Sequence, residues 1–109
     1  MGGSSGKAVS ALVKLIEFHP EAEAELLGAQ QWYRERSDVA AQAFALEIDA
    51  AIGSIIEAPE RWPVTSRGER HRVLPRFPFT IYYRVHSDTV YIIAMAHQRR
   101  RPNYWRGRR

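Results

Sequence analysis

The chain predicts an α+β domain, β-α-α-β-β-β, in which a helical hairpin packs on one face of an antiparallel-type sheet. Three observations predict it. Apolar residues recur three and four apart from about residue 20 to residue 58, then alternate in twos after residue 69. A Ser37-Asp38 pair divides the helical stretch in two. A length of 109 residues supplies one hydrophobic core and not two.

Each element follows from local chemistry. Residues 1–10, opening MGGSSG, read as a flexible leader or an expression scar, and residues 11–109 as the single domain. Ala11 to Phe18 (ALVKLIEF) is the first strand. His19-Pro20-Glu21 opens a helix, because proline is tolerated at the first helical position and Glu21, Glu23 and Glu25 lie near the positive end of its dipole. Ala22, Leu26, Ala29 and Tyr33 form its apolar stripe. Ser37-Asp38 caps a second helix that Pro59 ends, with Phe44, Ile48, Ala51, Ile52, Ile55 and Ile56 on its core face. Gly53 costs this helix about 1 kcal/mol against alanine. The short connection makes the pair an antiparallel hairpin.

After a polar loop around Thr65-Ser66-Arg67-Gly68 the period becomes two. Arg70 to Leu74 is a short strand, and Phe79 to His86 places Phe79, Ile81, Tyr83 and Val85 on one face. Ser87-Asp88 makes a tight turn into Thr89 to Ala96 (TVYIIAMA). That last run is apolar on both faces, so it is expected at the centre of the sheet with cover on both sides.

Composition narrows the function classes. Cysteine is absent, which excludes disulfides and thiolate metal sites and suits a reducing cytoplasm, the expected location. Four histidines without shared short spacing give no metal signature, and no cofactor is expected. No run of about 18 apolar residues and no signal pattern is present. The net charge of +4 hides an asymmetry. Residues 1–60 carry four basic side chains against ten acids, whereas residues 61–109 carry twelve arginines against Glu69 and Asp88. One cationic surface is therefore expected, directed at an anionic partner. Only two of the sixteen basic residues are lysine, and arginine suits bidentate recognition of carboxylate or phosphate.

The last thirteen residues, HQRRRPNYWRGRR, hold six arginines and no acid. As a plain solvated tail they would carry Tyr104 and Trp105 into water, so Trp105 is expected to fold back onto the sheet edge, with Pro102 shaping the turn and Arg106, Arg108 and Arg109 hanging from that anchor. Arg70, Arg72 and Arg76 either guard an exposed sheet edge or form a cationic rim continuous with Arg99 and Arg100. His97 carries an imidazole and either orders its turn or acts as acid or base. His71 and His86 read as surface residues. The first-helix glutamates read as a helix start and not as paired catalytic carboxylates. Glu47 and Asp49, two apart on a helix, do not face each other. Trp32, Tyr33 and Trp62 pack where the hairpin meets the sheet or line a groove for a partner.

Three segments, FHPEAEAELLGAQQWY, RHRVLPRFPFTIYYRV and AHQRRRPNYW, carry a resemblance in the right order and at the right separations. From about Leu15 to Arg106 the chain resembles the RelE/ParE superfamily of toxins from bacterial type II toxin–antitoxin operons. The resemblance implies the β-α-α-β-β-β fold and a hetero-oligomer with a cognate antitoxin encoded beside the toxin, whose C-terminal segment wraps over the toxin surface. The RelE branch cuts messenger RNA in the ribosome and needs a base, an acid and cations at the reacting phosphate. The ParE branch poisons DNA gyrase without chemistry of its own.

Anchored on Tyr83-Arg84-Val85, the paired lysines of the RelE second strand fall at His71 and Val73, and the third-strand arginine at Thr80. The fourth-strand arginine matches Arg99, and the terminal aromatic falls at Trp105, one position from Tyr104. A one-residue slip would substitute Arg70 and Arg72 for His71 and Val73, on the opposite face of the sheet. The lost cations, and the match of His97-x-Arg99-Arg100-x-Pro102-x-x-Trp105 to the ParE-like ending, favour a gyrase inhibitor over an enzyme. The expected target- or anion-binding set is Arg70, Arg72, Arg76, Arg99, Arg100, Trp105 and Arg106, and the expected antitoxin contacts are Trp32, Tyr33 and Trp62. The alternatives are a ribosome-dependent endoribonuclease using His97, Arg99, Arg72 and Tyr104, or a non-toxic module that binds antitoxin. Direct reading of DNA is not expected, since both helices lie in the acidic half.

Overall fold

The computed structural model describes residues 15–108. Its elements are β1 (Leu15–Phe18), α1 (Pro20–Arg36), α2 (Asp38–Glu57), β2 (Arg70–Val73), β3 (Phe79–His86) and β4 (Thr89–His97). Of the expected first strand, residues 11–14 lie outside the described residues, as does Arg109. The sheet order is β1-β4-β3-β2. β2, β3 and β4 pair antiparallel, while β1 joins β4 in parallel, so the sheet is mixed. A parallel partner requires a long connection, which everything between β1 and β4 supplies.

The helical hairpin is held by its caps. His19 donates its backbone N–H to Ile92 O at 2.8 Å, extending the β1–β4 pairing, while its Nδ1 accepts the N–H of Glu21 at 3.0 Å and caps α1. Pro20 then sits where its missing N–H costs nothing. Ser37 serves both helices. Its N–H closes α1 on Tyr33 O at 2.7 Å, and its Oγ accepts the N–H of Ala40 at 3.1 Å to start α2. One residue thus turns the chain back.

Both expected stripes meet the sheet. Ala22, Phe44, Ile48, Ala51 and Ile55 are buried against Ile81, Tyr83, Val90, Ile92 and Met95, with Leu26, Ala29, Tyr33, Ile52 and Ile56 packed around them. α2 is long and apolar enough to cross a bilayer by length and composition alone, but its Phe44, Ile48, Ala51 and Ile55 are spent on this core. The Tyr83 hydroxyl donates to Pro59 O at 2.5 Å, fastening the end of the hairpin to β3, and burial pushes its pKa up to about 12 against the opposing pull of Arg70. The β3–β4 turn places Ser87 at φ 59°, the left-handed region that non-glycine residues adopt at some cost.

The other face of the sheet is covered as well. Ile93, Ala94 and Ala96 of β4 are buried there under Trp105, which is 1% exposed, with Tyr82, Tyr91 and Tyr104 around it. The expectation that β4 is central and covered on both sides is met by a side chain from beyond the last strand.

Candidate binding groove and its cationic rim

The segment after β4 is a run of tight turns. Arg100, Tyr104, Arg106 and Arg108 donate their N–H groups to the carbonyls of His97, Arg101, Asn103 and Trp105 in succession. Asn103 at φ 62° and Gly107 at φ 98° supply the left-handed residues the turns require. The Trp105 ring lies 4.4 Å from that of Tyr82, tilted by 33°. Trp105 therefore covers the face of the sheet and not its edge, because Ile93, Ala94 and Ala96 offer an apolar floor there and an edge strand would not.

Glu25 fastens this segment to α1. Its Oε2 accepts the Tyr104 hydroxyl at 2.6 Å, and its two oxygens accept Arg108 Nη1 and Nη2 at 3.0 and 2.9 Å. Oε1 also accepts the N–H of Met95 at 3.0 Å. Arg108 adds bonds to Ile93 O at 3.1 Å and to Glu21 at 3.2 Å. Burial alone would raise the Glu25 pKa, but the Arg108, Tyr104 and Met95 donors outweigh it and hold the carboxyl below its ordinary value. Arg108 is pushed up chiefly by its bond to Glu25. Tyr104 is pushed well above the phenol range by burial and by the carboxylate it donates to. Arg108 thus does not hang from the anchor. It is part of it.

Between α1 and this segment lies a groove of about 690 Å3. Ala29, Tyr33, Phe79 and Met95 give it an apolar floor, Trp32 stands on one side, and His97, Arg99, Arg100 and Tyr104 line the other. Trp32 is 52% exposed, with the Arg36 guanidinium 3.8 Å above its ring. Arg99 and Arg101 are exposed, and among the described residues their side chains meet no carboxylate. Arg100 lies over the Tyr104 ring at 3.8 Å.

Of the residues expected to hold a partner, Trp32 and Tyr33 share this groove, whereas Trp62 does not line it. Trp62 lies near β2, stacked under Arg72 at 4.3 Å and accepting Arg70 Nη1 through its carbonyl at 2.8 Å. The three upstream arginines do not form a continuous free rim with Arg99 and Arg100. Arg70 is tied to the carbonyls of Glu60 and Trp62, and Arg72 to Val73 O. Arg76 is tied through Nε and its N–H to Glu47, a buried carboxylate on α2. Arg106 lies 5.4 Å from the Trp105 ring centroid.

The strand register assigns the faces. Arg70 and Arg72 pair with Tyr83 and Ile81, whose side chains enter the core under the helices, while His71 and Val73 pair with Tyr82 and Thr80. His71 is half-buried beside Tyr82, at 6.0 Å between rings. The nuclease set is accordingly split. His97, Arg99 and Tyr104 line one groove, but Arg72 stands on β2 with β3 between it and β4. His97 Nδ1 accepts the N–H of Arg99 at 3.0 Å, and its ring lies edge-on to Phe79 at 5.0 Å.

Three carboxylates carry more than their sequence positions announce. Glu25, Glu47 and Glu69 each bind an arginine from the basic half, Glu69 taking Thr65 Oγ1 at 2.7 Å and Arg84 at 3.1 Å. Burial tends to raise the Glu69 pKa, but Thr65, its own N–H and Arg84 hold it below the ordinary value.

A family model for the ParE toxin of type II toxin–antitoxin systems, parDE, matches residues 16–102. No curated protein matches the sequence. Among solved structures, one described as the chromosomal ParDE toxin–antitoxin system from P. aeruginosa superposes with a TM-score of 0.67 at 17% identity, over 81% of this chain and 97% of that one. At that identity the likeness speaks for the fold alone. The family match spans both helices, all four strands and the arginine run to Pro102, and by it the chain belongs to the ParE toxin family of type II toxin–antitoxin systems.

Proposed function

We propose that this toxin acts in the cytoplasm by binding DNA gyrase and stalling it, and that a cognate antitoxin silences it by occupying the groove beside Trp32 and Tyr33. The observation that carries the reading is how the candidate proton-transfer groups are spent. The Tyr104 hydroxyl is committed to Glu25, His97 Nδ1 to the backbone of Arg99, and Arg72 to Val73 O and the Trp62 ring. A cleaving site needs a free base and a free acid at one phosphate; His97 and Tyr104 share a groove, but the Tyr104 hydroxyl is held by Glu25 and Arg72 stands apart on β2. Gripping needs less. The exposed Arg99 and Arg101, on turns that Glu25 and Trp105 fasten to the folded body, supply free guanidinium donors on a backbone that needs little further ordering on association. Their charge also favours encounter with an acidic surface.

The test is paired. The purified toxin is added to gyrase with relaxed plasmid, and separately to ribosomes translating a defined transcript. Loss of supercoiling, with DNA breaks trapped on the enzyme and the transcript intact, is expected. Cleaved transcript with gyrase unaffected would overturn the reading. Inactivity in both assays alongside tight antitoxin binding would replace it with a non-toxic binding module.

A further inference from the structure

Tyr104 also borders a second cavity, of about 220 Å3, which shares Arg101 with the gripping surface. It lies on the sheet face away from the helices, floored by Thr80, Tyr82 and Ala96 and walled by the turn from His97 to Tyr104. Its lining is rich in donors. Arg100 is held in place by stacking on Tyr104 at 3.8 Å, and Arg101 has no acidic partner among the described residues. Thr80 and Tyr82 contribute hydroxyls, and Gln98 and Asn103 contribute amides. The backbone N–H groups of Arg101 and Asn103 meet no acceptor among the described residues. No Asp or Glu lines the cavity, and the carboxylate of Glu25 is saturated by Tyr104, Arg108 and Met95.

Size and donor layout select the ligand. The volume is below the roughly 300 Å3 at which pockets begin to enclose whole small molecules, so it suits one group of a larger ligand. A planar carboxylate would be satisfied by one guanidinium fork. Here the lining combines hydroxyl-bearing residues on the sheet floor with amides and two arginines on the turn, a mixed donor set that suits a tetrahedral oxyanion. We infer that this cavity binds a phosphate group, either free or carried on a nucleotide or nucleic-acid chain. The site shares Arg101 with the gripping surface but is read by phosphate binding in the absence of gyrase, so its failure would leave the gyrase reading where it stands.

The experiment is a chemical-shift titration of the full chain with inorganic phosphate, against chloride at matched ionic strength. Saturable shifts confined to residues 80, 82 and 98–104 are expected. Arg101→Gln, at an exposed and unpaired side chain, should weaken them about tenfold or more, and Thr80→Val should weaken them as well. Tryptophan emission gives a second readout, since Tyr82 stacks on Trp105. Shifts no larger than those in chloride, shifts of equal size around Arg61 and Arg67, or unchanged binding by Arg101→Gln would overturn the inference. A nucleoside monophosphate and a short single-stranded oligonucleotide form the second arm. Tighter saturation by the oligonucleotide identifies a phosphodiester chain as the source, and equal saturation by the monophosphate identifies a free phosphate. Either result supports the site.

Discussion

The Tyr104 hydroxyl donates a 2.6 Å hydrogen bond to Glu25, 79 positions earlier in the chain. That bond joins the acidic half of the molecule to its basic end. With the two-pronged contact from Arg108 to the same carboxylate, it makes the arginine-rich segment part of the folded body. Glu25 is therefore a positioning residue for the exposed cations of the turns before it.

Replacing Glu25 by glutamine keeps the shape but removes the charge that Arg108 requires. The variant should lose about 2 kcal/mol of stability in urea denaturation, the scale of a charge-assisted bond broken at a partly buried site. Unchanged stability would mean that the clasp contributes no more than a surface ion pair.

Acid should weaken the fold through the same group. Glu25 and Glu69 both have folded pKa values below their ordinary 4.5, so the unfolded chain binds protons first as pH falls. Their contribution is fully present above about pH 4.5 and disappears as the pH drops through the folded values. At the alkaline end the signs reverse. Tyr83 and Tyr104 are raised above 10, so their contribution is present below pH 10 and lost as the pH rises through their folded values. The slope of stability against pH below 4.5 should be shallower in Glu25→Gln than in the parent. Superimposable acid limbs would contradict this assignment.

Trp105→Ala should cost about 3–5 kcal/mol, because it uncovers Ile93, Ala94 and Ala96 together and removes the nearer ring neighbour of Tyr82. In the parent protein, iodide should quench Trp32, which is half exposed, and leave Trp105 emitting. Single-tryptophan variants resolve the two signals.

Arg99→Gln with Arg101→Gln should separate function from folding. Both side chains are exposed and unpaired among the described residues, so the double variant should unfold within about 0.5 kcal/mol of the parent while its potency against gyrase drops. Retained potency would move the contact surface elsewhere on the molecule.

Much of this molecule was readable along the chain. The shift from helical to alternating spacing located the hairpin and the sheet, Ser37 marked the helix junction, and a last strand apolar on both sides required a central place with double cover. The site was less readable. Glu25 reads from its neighbours as an ordinary acid near a helix start, because its partners Met95, Tyr104 and Arg108 lie 70, 79 and 83 positions away. Glu47 is hidden in the same way, since its partner Arg76 comes from a loop 29 residues on.

The amino-acid order alone determined the element sequence, the buried stripes and the concentration of positive charge in one half, since these depend on neighbours a few residues apart. Only the tertiary structure decided which arginines are spent and which stay free. Strand register sends Arg70 and Arg72 to one face and His71 and Val73 to the other, and a carboxylate on α1 captures Arg108 while leaving Arg99 and Arg101 in solvent. Pairing across such distances is set by how the layers stack, and local pattern carries no record of it.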